Sequence, residues 1–271
     1  RVTGSGGKMV IRNFEDFNPQ WLHFKLSDNA EYRQRFSDRS YKQYFNNGVL
    51  TPKVAAEIFK KRTLEIDTAV IAESARWGDD NQVRKVMTKD DNWLPAVNKI
   101  LDKFFPYRTD VVIKQLQDEK LLSLVKAPLF KSDAIEITDE TINMTAGSGL
   151  SIVDPDNAGN VIYTIDGSDP RLVGDGVSTT ATNGGKSTTI SVLQSCVVKA
   201  RVFNNGNWSS LHTLKVGVDS QLDGLQLTEI QYNPLGQDGL SGNEYEFIEL
   251  KNCGNTPVNL SSCLFIDGIK Y

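Results

Sequence analysis

The chain has 271 residues, 39% of them hydrophobic and 24% charged, a balance that excludes collagen-like, low-complexity and membrane-spanning sequence. At roughly 100 to 200 residues per domain, this length predicts two or three domains. The net charge of −4 is unevenly divided, with 22 Lys and Arg against 17 Asp and Glu in residues 1–126 and 8 against 17 in residues 127–271, and the basic residues of the first part alternate with acids instead of clustering with aromatics, so no nucleic-acid partner is expected.

The opening stretch, Arg1 to Leu26, combines a Gly-rich start with the aromatics Phe14, Phe17, Trp21 and Phe24, and no element is assigned to it. Its Gly4-Ser5-Gly6-Gly7-Lys8 is not a phosphate-binding loop: the pattern needs Gly where Val2 stands and Ser or Thr where Met9 stands. Helical periodicity then governs Asp28 to Lys126, with at least four helices. The first is expected from about Asn29 to Asn47, burying Tyr32, Phe36, Tyr44 and Phe45 and stopped by a left-handed Gly48. Thr51 caps the second, Pro52 occupies its first position, and Val54, Ile58, Phe59, Ile66, Val70, Ile71 and Trp77 form its core-facing side as far as Gly78. A third starts at Asp91 or Asn92, carries Leu94, Val97, Ile100, Leu101, Phe104 and Phe105, and closes at Pro106; a fourth starts at Thr109.

At Ala127-Pro128 the hydrophobic period changes from about 3.6 to 2, which predicts a passage from α to β structure. Strands are expected at Ala134 to Thr138, Val161 to Ile165, Thr188 to Leu193, Val197 to Phe203 and His212 to Val218, separated by turns at the spacing of an Ig-like sandwich. Further strands are expected at Leu227 to Tyr232, Glu244 to Asn252 and Leu260 to Tyr271. Three strands are too few for a stable sandwich, so this last module is expected to be truncated. The fold class is therefore multi-domain, α then all-β: helices in 1–126, a sandwich module in 127–218, and the first strands of another in 226–271.

Candidate sites are sparse. Asp154, Asp156 and Asn157 have the oxygen spacing of a calcium loop, but the position of the bidentate Glu is held by Ile165, so a solvated turn is the preferred reading. Asp166 and Asp169 could pair as carboxylates for glycoside hydrolysis; within Asp166-Gly167-Ser168-Asp169-Pro170 they read instead as turn residues. Tyr163 and Trp208 could stack on a sugar ring, although Trp208 reads first as a core lid. His23 and His212, the only histidines, have no ligand cluster near them in sequence and are read as structural. Of the three cysteines, Cys253 and Cys263 flank a turn and are read as two buried free thiols, with a disulfide as the alternative, and Cys196 as a core residue.

Three resemblances rest on quoted residues. Arg33-Gln34-Arg35-Phe36-Ser37-Asp38-Arg39, Phe45-Asn46-Asn47-Gly48-Val49-Leu50-Thr51-Pro52, Arg62 to Ile71, Ala72-Glu73-Ser74-Ala75-Arg76-Trp77-Gly78-Asp79, Trp93-Leu94 and Tyr107-Arg108 make residues 20–125 resemble the C-terminal part of the spore-coat CotH-like kinase family. That resemblance implies ATP and a divalent metal for an upstream lobe, and it places no catalytic group and no cofactor in this chain. Ile162-Tyr163-Thr164-Ile165-Asp166-Gly167-Ser168-Asp169-Pro170-Arg171, Val198-Lys199-Ala200-Arg201 and Gly206-Asn207-Trp208-Ser209 are similar to the chitobiase/beta-hexosaminidase C-terminal domain. Leu227-Thr228-Glu229-Ile230, Asn233-Pro234 and Glu246-Phe247-Ile248-Glu249-Leu250-Lys251-Asn252 resemble the start of a lamin tail domain. Together they imply a bacterial, exported, multi-domain protein at the cell surface, in which this segment is structural and meets a protein or glycan partner. A share in a phosphotransferase and a carbohydrate-binding accessory role are the alternatives.

Overall fold

The computed structural model describes residues 19–79, 86–218, 222, 224–258 and 260. Helices come first and sheets follow. The Gly-rich opening, Phe14, Phe17, Cys263 and nearly all of the strand expected at Leu260 to Tyr271 lie outside the described residues.

Helix α1 (Pro19–Leu26) occupies a stretch to which the sequence reading gave no element. Helix α2 (Ala30–Tyr44) begins as expected, with the Asn29 side chain accepting a hydrogen bond from Tyr32 N–H at 3.1 Å. Its buried residues are Ser37, Ser40 and Tyr41, whereas Tyr32, Phe36, Tyr44 and Phe45 are only half-buried. The left-handed residue after α2 is Asn46 (φ 56°), not Gly48. Gly48 is required for space: a Cβ there would run into the carbonyl oxygens of Gln43 and Lys42.

Helix α3 (Pro52–Trp77) has the expected limits, Thr51 before it and Gly78 after it. Its apolar side is less covered than expected, with Ile58 48%, Ile66 50%, Ile71 55% and Trp77 48% exposed, because α3 packs on one side only, against a π-helical turn (Lys89–Trp93), α4 (Leu94–Lys103) and α5 (Phe105–Asp118). The π-turn starts before the predicted Asp91. Thr88 caps it, accepting from Asp91 N–H at 3.0 Å while its own N–H donates to the Asn92 side chain at 2.9 Å. Pro106 does not close a helix; it sits in the first turn of α5, where its missing N–H leaves no bond unmade. Thr109, expected to start a helix, is buried inside α5 and donates its hydroxyl to Leu50 C=O at 2.7 Å.

The β region builds two larger sheets. Strands β1 (Leu129–Ser132), β2 (Ile135–Glu136), β4 (Ser148–Val153) and β7 (Ser187–Val192) form one, in the order β2-β1-β4-β7. Strands β3 (Thr141–Met144), β5 (Asn160–Thr164), β6 (Thr182–Asn183), β8 (Cys196–Asn204) and β10 (His212–Val218) form the other, in the order β3-β10-β8-β5-β6, with β9 (Asn207–Trp208) pairing on β8. Strands β1, β3, β4, β6 and β9 were not anticipated. Within the strand expected at Ala134 to Thr138 the period-2 pattern fails, since Ile135 is 73% exposed and Ile137 is buried: Asp133 and Ala134 take positive φ, and β2 is two residues long. Phe130, Leu150, Ile152, Val161, Val198, Ala200 and Leu214 are completely buried and mark the β core.

A separate hairpin joins β11 (Leu225–Gln231) to β12 (Phe247–Asn252). The expected strand from Glu244 starts later, because Gly242–Tyr245 is a 3-10 turn. A bulge between Leu227 and Glu229 lets Leu227 and Ile230, three residues apart, face Leu250 and Ile248 on one side of the hairpin.

The chain divides into two compact units. One comprises Arg1–Ala127 with Arg171–Gly176 and Arg201–His212, and the other comprises Pro128–Pro170, Val177–Ala200 and Thr213–Tyr271. Among the described residues no helix is long and apolar enough to cross a membrane.

Candidate functional site

The most completely built polar site lies within the first unit, on one face of α2. Glu31, Gln34, Asp38 and Tyr41 follow one another at intervals of three and four, which stacks them along a single stripe, with Ser37 beside it. Each meets a group from Arg171–Gly176 or Arg201–His212.

Arg201 is 1% exposed, the largest fully buried side chain described. Its two terminal nitrogens donate to the two oxygens of Asp38, each at 2.8 Å, in the planar fork that suits a carboxylate. Asp38 Oδ1 also accepts Leu211 N–H at 2.9 Å and the Gln34 amide at 3.2 Å. The Ser209 carbonyl oxygen accepts from Arg201 at 2.9 Å and from Gln34 at 3.0 Å. A buried guanidinium is tolerated only when paired and hydrogen-bonded, and these contacts supply both conditions.

Arg171 repeats the arrangement about two helical turns away. It donates to both oxygens of Glu31, at 2.9 and 2.6 Å, and its Nε donates to Asp175 at 2.9 Å. Gly174 N–H reaches Glu31 Oε1 at 2.9 Å. The Arg171 hydrogen bonds, helped by the Gly174 N–H, hold the Glu31 carboxyl down at about 2 against an ordinary 4.5, and Glu31 in turn raises Arg171. General acid–base work needs a group that titrates near the operating pH, so this carboxylate is a fixed counter-charge instead.

Between and beyond the two forks lie neutral bonds. Ser37 and Ser210 share a hydrogen bond of 2.7 Å, Ser123 N–H donates to Ser37 Oγ at 3.0 Å, and the Ser123 hydroxyl donates to Trp208 C=O at 2.8 Å. His212, 5% exposed, has Tyr41 Oη 3.4 Å from Nδ1 and the Asn46 amide nitrogen 3.2 Å from Nε2. His23 sits against Phe36, with Nδ1 2.7 Å from Tyr32 Oη.

The residues singled out from sequence are placed elsewhere or differently. Trp208 is 4% exposed; its indole N–H donates to Asp175 C=O at 3.1 Å and its ring centroid lies 4.7 Å from that of Phe203. That ring offers no open face to a sugar, a correction to the stacking reading. Tyr163 is half-buried on β5, opposite Thr182. Asp154 is buried, and its two oxygens accept N–H groups of Asp156, Ala158 and Gly159 at 3.1, 2.8 and 2.7 Å. Converging N–H donors present positive charge, the opposite of what a cation would meet in a calcium loop, and Asn157 takes a left-handed turn conformation (φ 51°). Among the described residues no group of three or more His, Cys, Asp or Glu could hold a metal ion.

Asp166 Oδ1 accepts Ser168 N–H at 2.9 Å and its hydroxyl at 2.6 Å, which lowers its carboxyl from the ordinary value, and Gly167 takes φ 78°. The Asx bond is thus made by Asp166; Asp169 is half-buried and Pro170 buried at the end of the same turn. Cys253 is exposed, 3.6 Å from the Gln226 side-chain oxygen, and Cys196 is half-buried.

Sequence reasoning passed over Glu31, Asp38, Arg171 and Arg201 as site residues. The signal was present: Asp38 stands in the segment Arg33 to Arg39, Arg171 ends the segment from Ile162, and Arg201 ends Val198 to Arg201, the same segments that carry the two family resemblances. In comparisons with known proteins, no family model, curated protein or solved structure matches the chain.

Proposed function

We propose that this chain is a non-catalytic structural and interaction segment of an exported, cell-surface protein of the kind its sequence resembles, a CotH-like protein with sandwich modules after its helices. The observation that carries this reading is the pair of guanidinium–carboxylate forks. Asp38, from the helical resemblance, bonds at 2.8 Å to Arg201, from the sandwich resemblance, and Arg171, from the sandwich resemblance, bonds at 2.6 and 2.9 Å to Glu31 on the same helix as Asp38. Strongly ionic side chains in a cleft usually invite a catalytic interpretation. Here their oxygens and nitrogens are engaged by fixed partners, which makes them instruments of shape. The reading accords with a scaffold that holds a surface toward a protein or glycan.

ATP turnover by the 271-residue chain tests it, measured with magnesium or manganese present. No phosphate release above the buffer rate is expected. Sustained turnover by this chain would overturn the proposal and restore the phosphotransferase alternative, in which the helices of residues 29–77 form part of the substrate surface.

A further inference from the structure

Three Asn-Gly pairs occur in the chain: Asn47-Gly48, Asn183-Gly184 and Asn205-Gly206. At such a pair the glycine backbone nitrogen can attack the asparagine side-chain carbon, because glycine has no Cβ to hinder the approach. The attack needs a nitrogen that is not already donating and a peptide that can rotate. The three sites differ in both respects.

Gly48 N–H donates to Phe45 C=O at 2.9 Å, and the carbonyl oxygens of Gln43 and Lys42 fill the space a Cβ would take. Gly184 N–H donates to Val161 C=O at 2.9 Å, the Asn183 side-chain oxygen accepts Gly185 N–H at 2.9 Å, and Thr188 fills the space beside Gly184. Asn205 and Gly206 form the exposed tip between β8 and β9, with φ 48° and 80°. Neither the Gly206 N–H nor the Asn205 side-chain amide has a hydrogen-bond partner among the described residues. Nothing lies within 4 Å of the position a Gly206 Cβ would take. The left-handed turn must open before the attack, and the pairs Asn204 with Asn207 and Phe203 with Trp208 hold it together with one exposed bond, from the Asn207 side-chain amide to Asn205 C=O at 3.1 Å. Short exposed ends of this kind open locally without global unfolding.

We propose that Asn205 is a site of spontaneous, structure-selected modification. The Gly206 nitrogen forms a bond to Asn205 Cγ, the Cγ–Nδ2 bond breaks, and ammonia leaves with the proton that the Gly206 nitrogen gives up. Solvent water then opens the resulting five-membered imide at one of its two carbonyl carbons. Opening at Cγ yields aspartate; opening at the original main-chain carbonyl yields isoaspartate, with one more methylene in the backbone. No oxidant or cofactor is needed. The product adds a negative charge three residues from Trp208 and four from Ser209, whose carbonyl oxygens accept from Ser123 and from Arg201 and Gln34.

Incubating the folded chain at mildly alkaline pH, followed by peptide mapping with separation of aspartate from isoaspartate, tests this. Amide loss at Asn205 is expected to run at least roughly tenfold ahead of Asn47 and Asn183, the ratio that about 1.4 kcal/mol of additional barrier imposes. In denaturant the three rates should converge, because the protecting bonds are gone. Equal rates at the three sites in the folded protein, or no reaction at Asn205 while the denatured chain reacts, would overturn the assignment.

Discussion

Replacing Asp38 with Ala is expected to destabilise the first unit by about 3 kcal/mol. The carboxylate accepts two bonds from Arg201 at 2.8 Å, one from Leu211 N–H at 2.9 Å and one from Gln34 at 3.2 Å, so its removal takes away four acceptor contacts at once. The guanidinium left behind is 1% exposed and cannot turn to water. Removing one partner of a buried ion pair costs about 3–5 kcal/mol, and because the Asp38 side chain is itself 21% exposed, water reaches the site and the low end of that range applies. At about 2–4 °C per kcal/mol for a chain of this size, the melting temperature should fall by about 6–12 °C. The assay is urea unfolding followed by Trp fluorescence, with calorimetry beside it. Replacing both partners, Asp38→Leu with Arg201→Met, should restore part of the loss, since two apolar groups leave no buried charge. A midpoint shift equivalent to less than about 0.5 kcal/mol for Asp38→Ala, the range of an ordinary surface substitution, would refute the reasoning, as would a double variant less stable than the single one.

Two other tests address neighbouring groups. The Glu31 carboxyl, held at about 2 in the folded state against 4.5 unfolded, stabilises the protein above pH 4.5, and that contribution disappears as pH falls from 4.5 toward 2. Glu31→Gln should flatten the acid limb of the stability curve in that window, and acid limbs of equal slope would count against the fork at Arg171. In the reduced protein Cys253, being exposed, should react with iodoacetamide before Cys196, whose thiol burial pushes up; the reverse order would contradict the placement of Cys196 on β8.

Local chemistry was the part of the fold most legible in the sequence. Pro52 and Gly78 bracket α3 because the fixed φ of proline acts over a few residues, independent of tertiary contacts, whereas the cap expected of Thr51 is not made: its hydroxyl donates to Gly48 C=O at 2.7 Å. The same proline rule misled at Pro106: a proline can follow the end of one helix or open the next, and here α4 ends three residues earlier at Lys103 while Pro106 lies in the first turn of α5. The passage from helices to strands near Pro128 was visible because the hydrophobic period itself changes. Strand β4 was not, although it pairs with both β1 and β7, because Gly149 and two serines interrupt its apolar pattern.

The ionic site was hidden for a different reason. Glu31, Gln34 and Asp38 make a polar stripe at helical spacing, which by pattern alone is a solvated face. On β8, Lys199 and Arg201 occupy alternate positions, which by pattern alone point outward. Yet Ala200, Arg201 and Val202 are all buried, so this part of the strand is covered on both sides and alternation ceases to sort polar from apolar. The partners that make this tolerable stand 140 residues apart for Glu31 and Arg171, and 163 apart for Asp38 and Arg201. A periodicity argument reads one element at a time and contains no information across such separations. An arginine in a strand that later proves to be buried on both faces nevertheless demands an acid somewhere, because an unpaired guanidinium there would cost several kcal/mol. The acids able to answer that demand belong to a stripe whose neighbours are small: on α2 Ser37 and Ser40 are buried, and Ser37 hydrogen-bonds Ser210, next to the Leu211 N–H that Asp38 accepts.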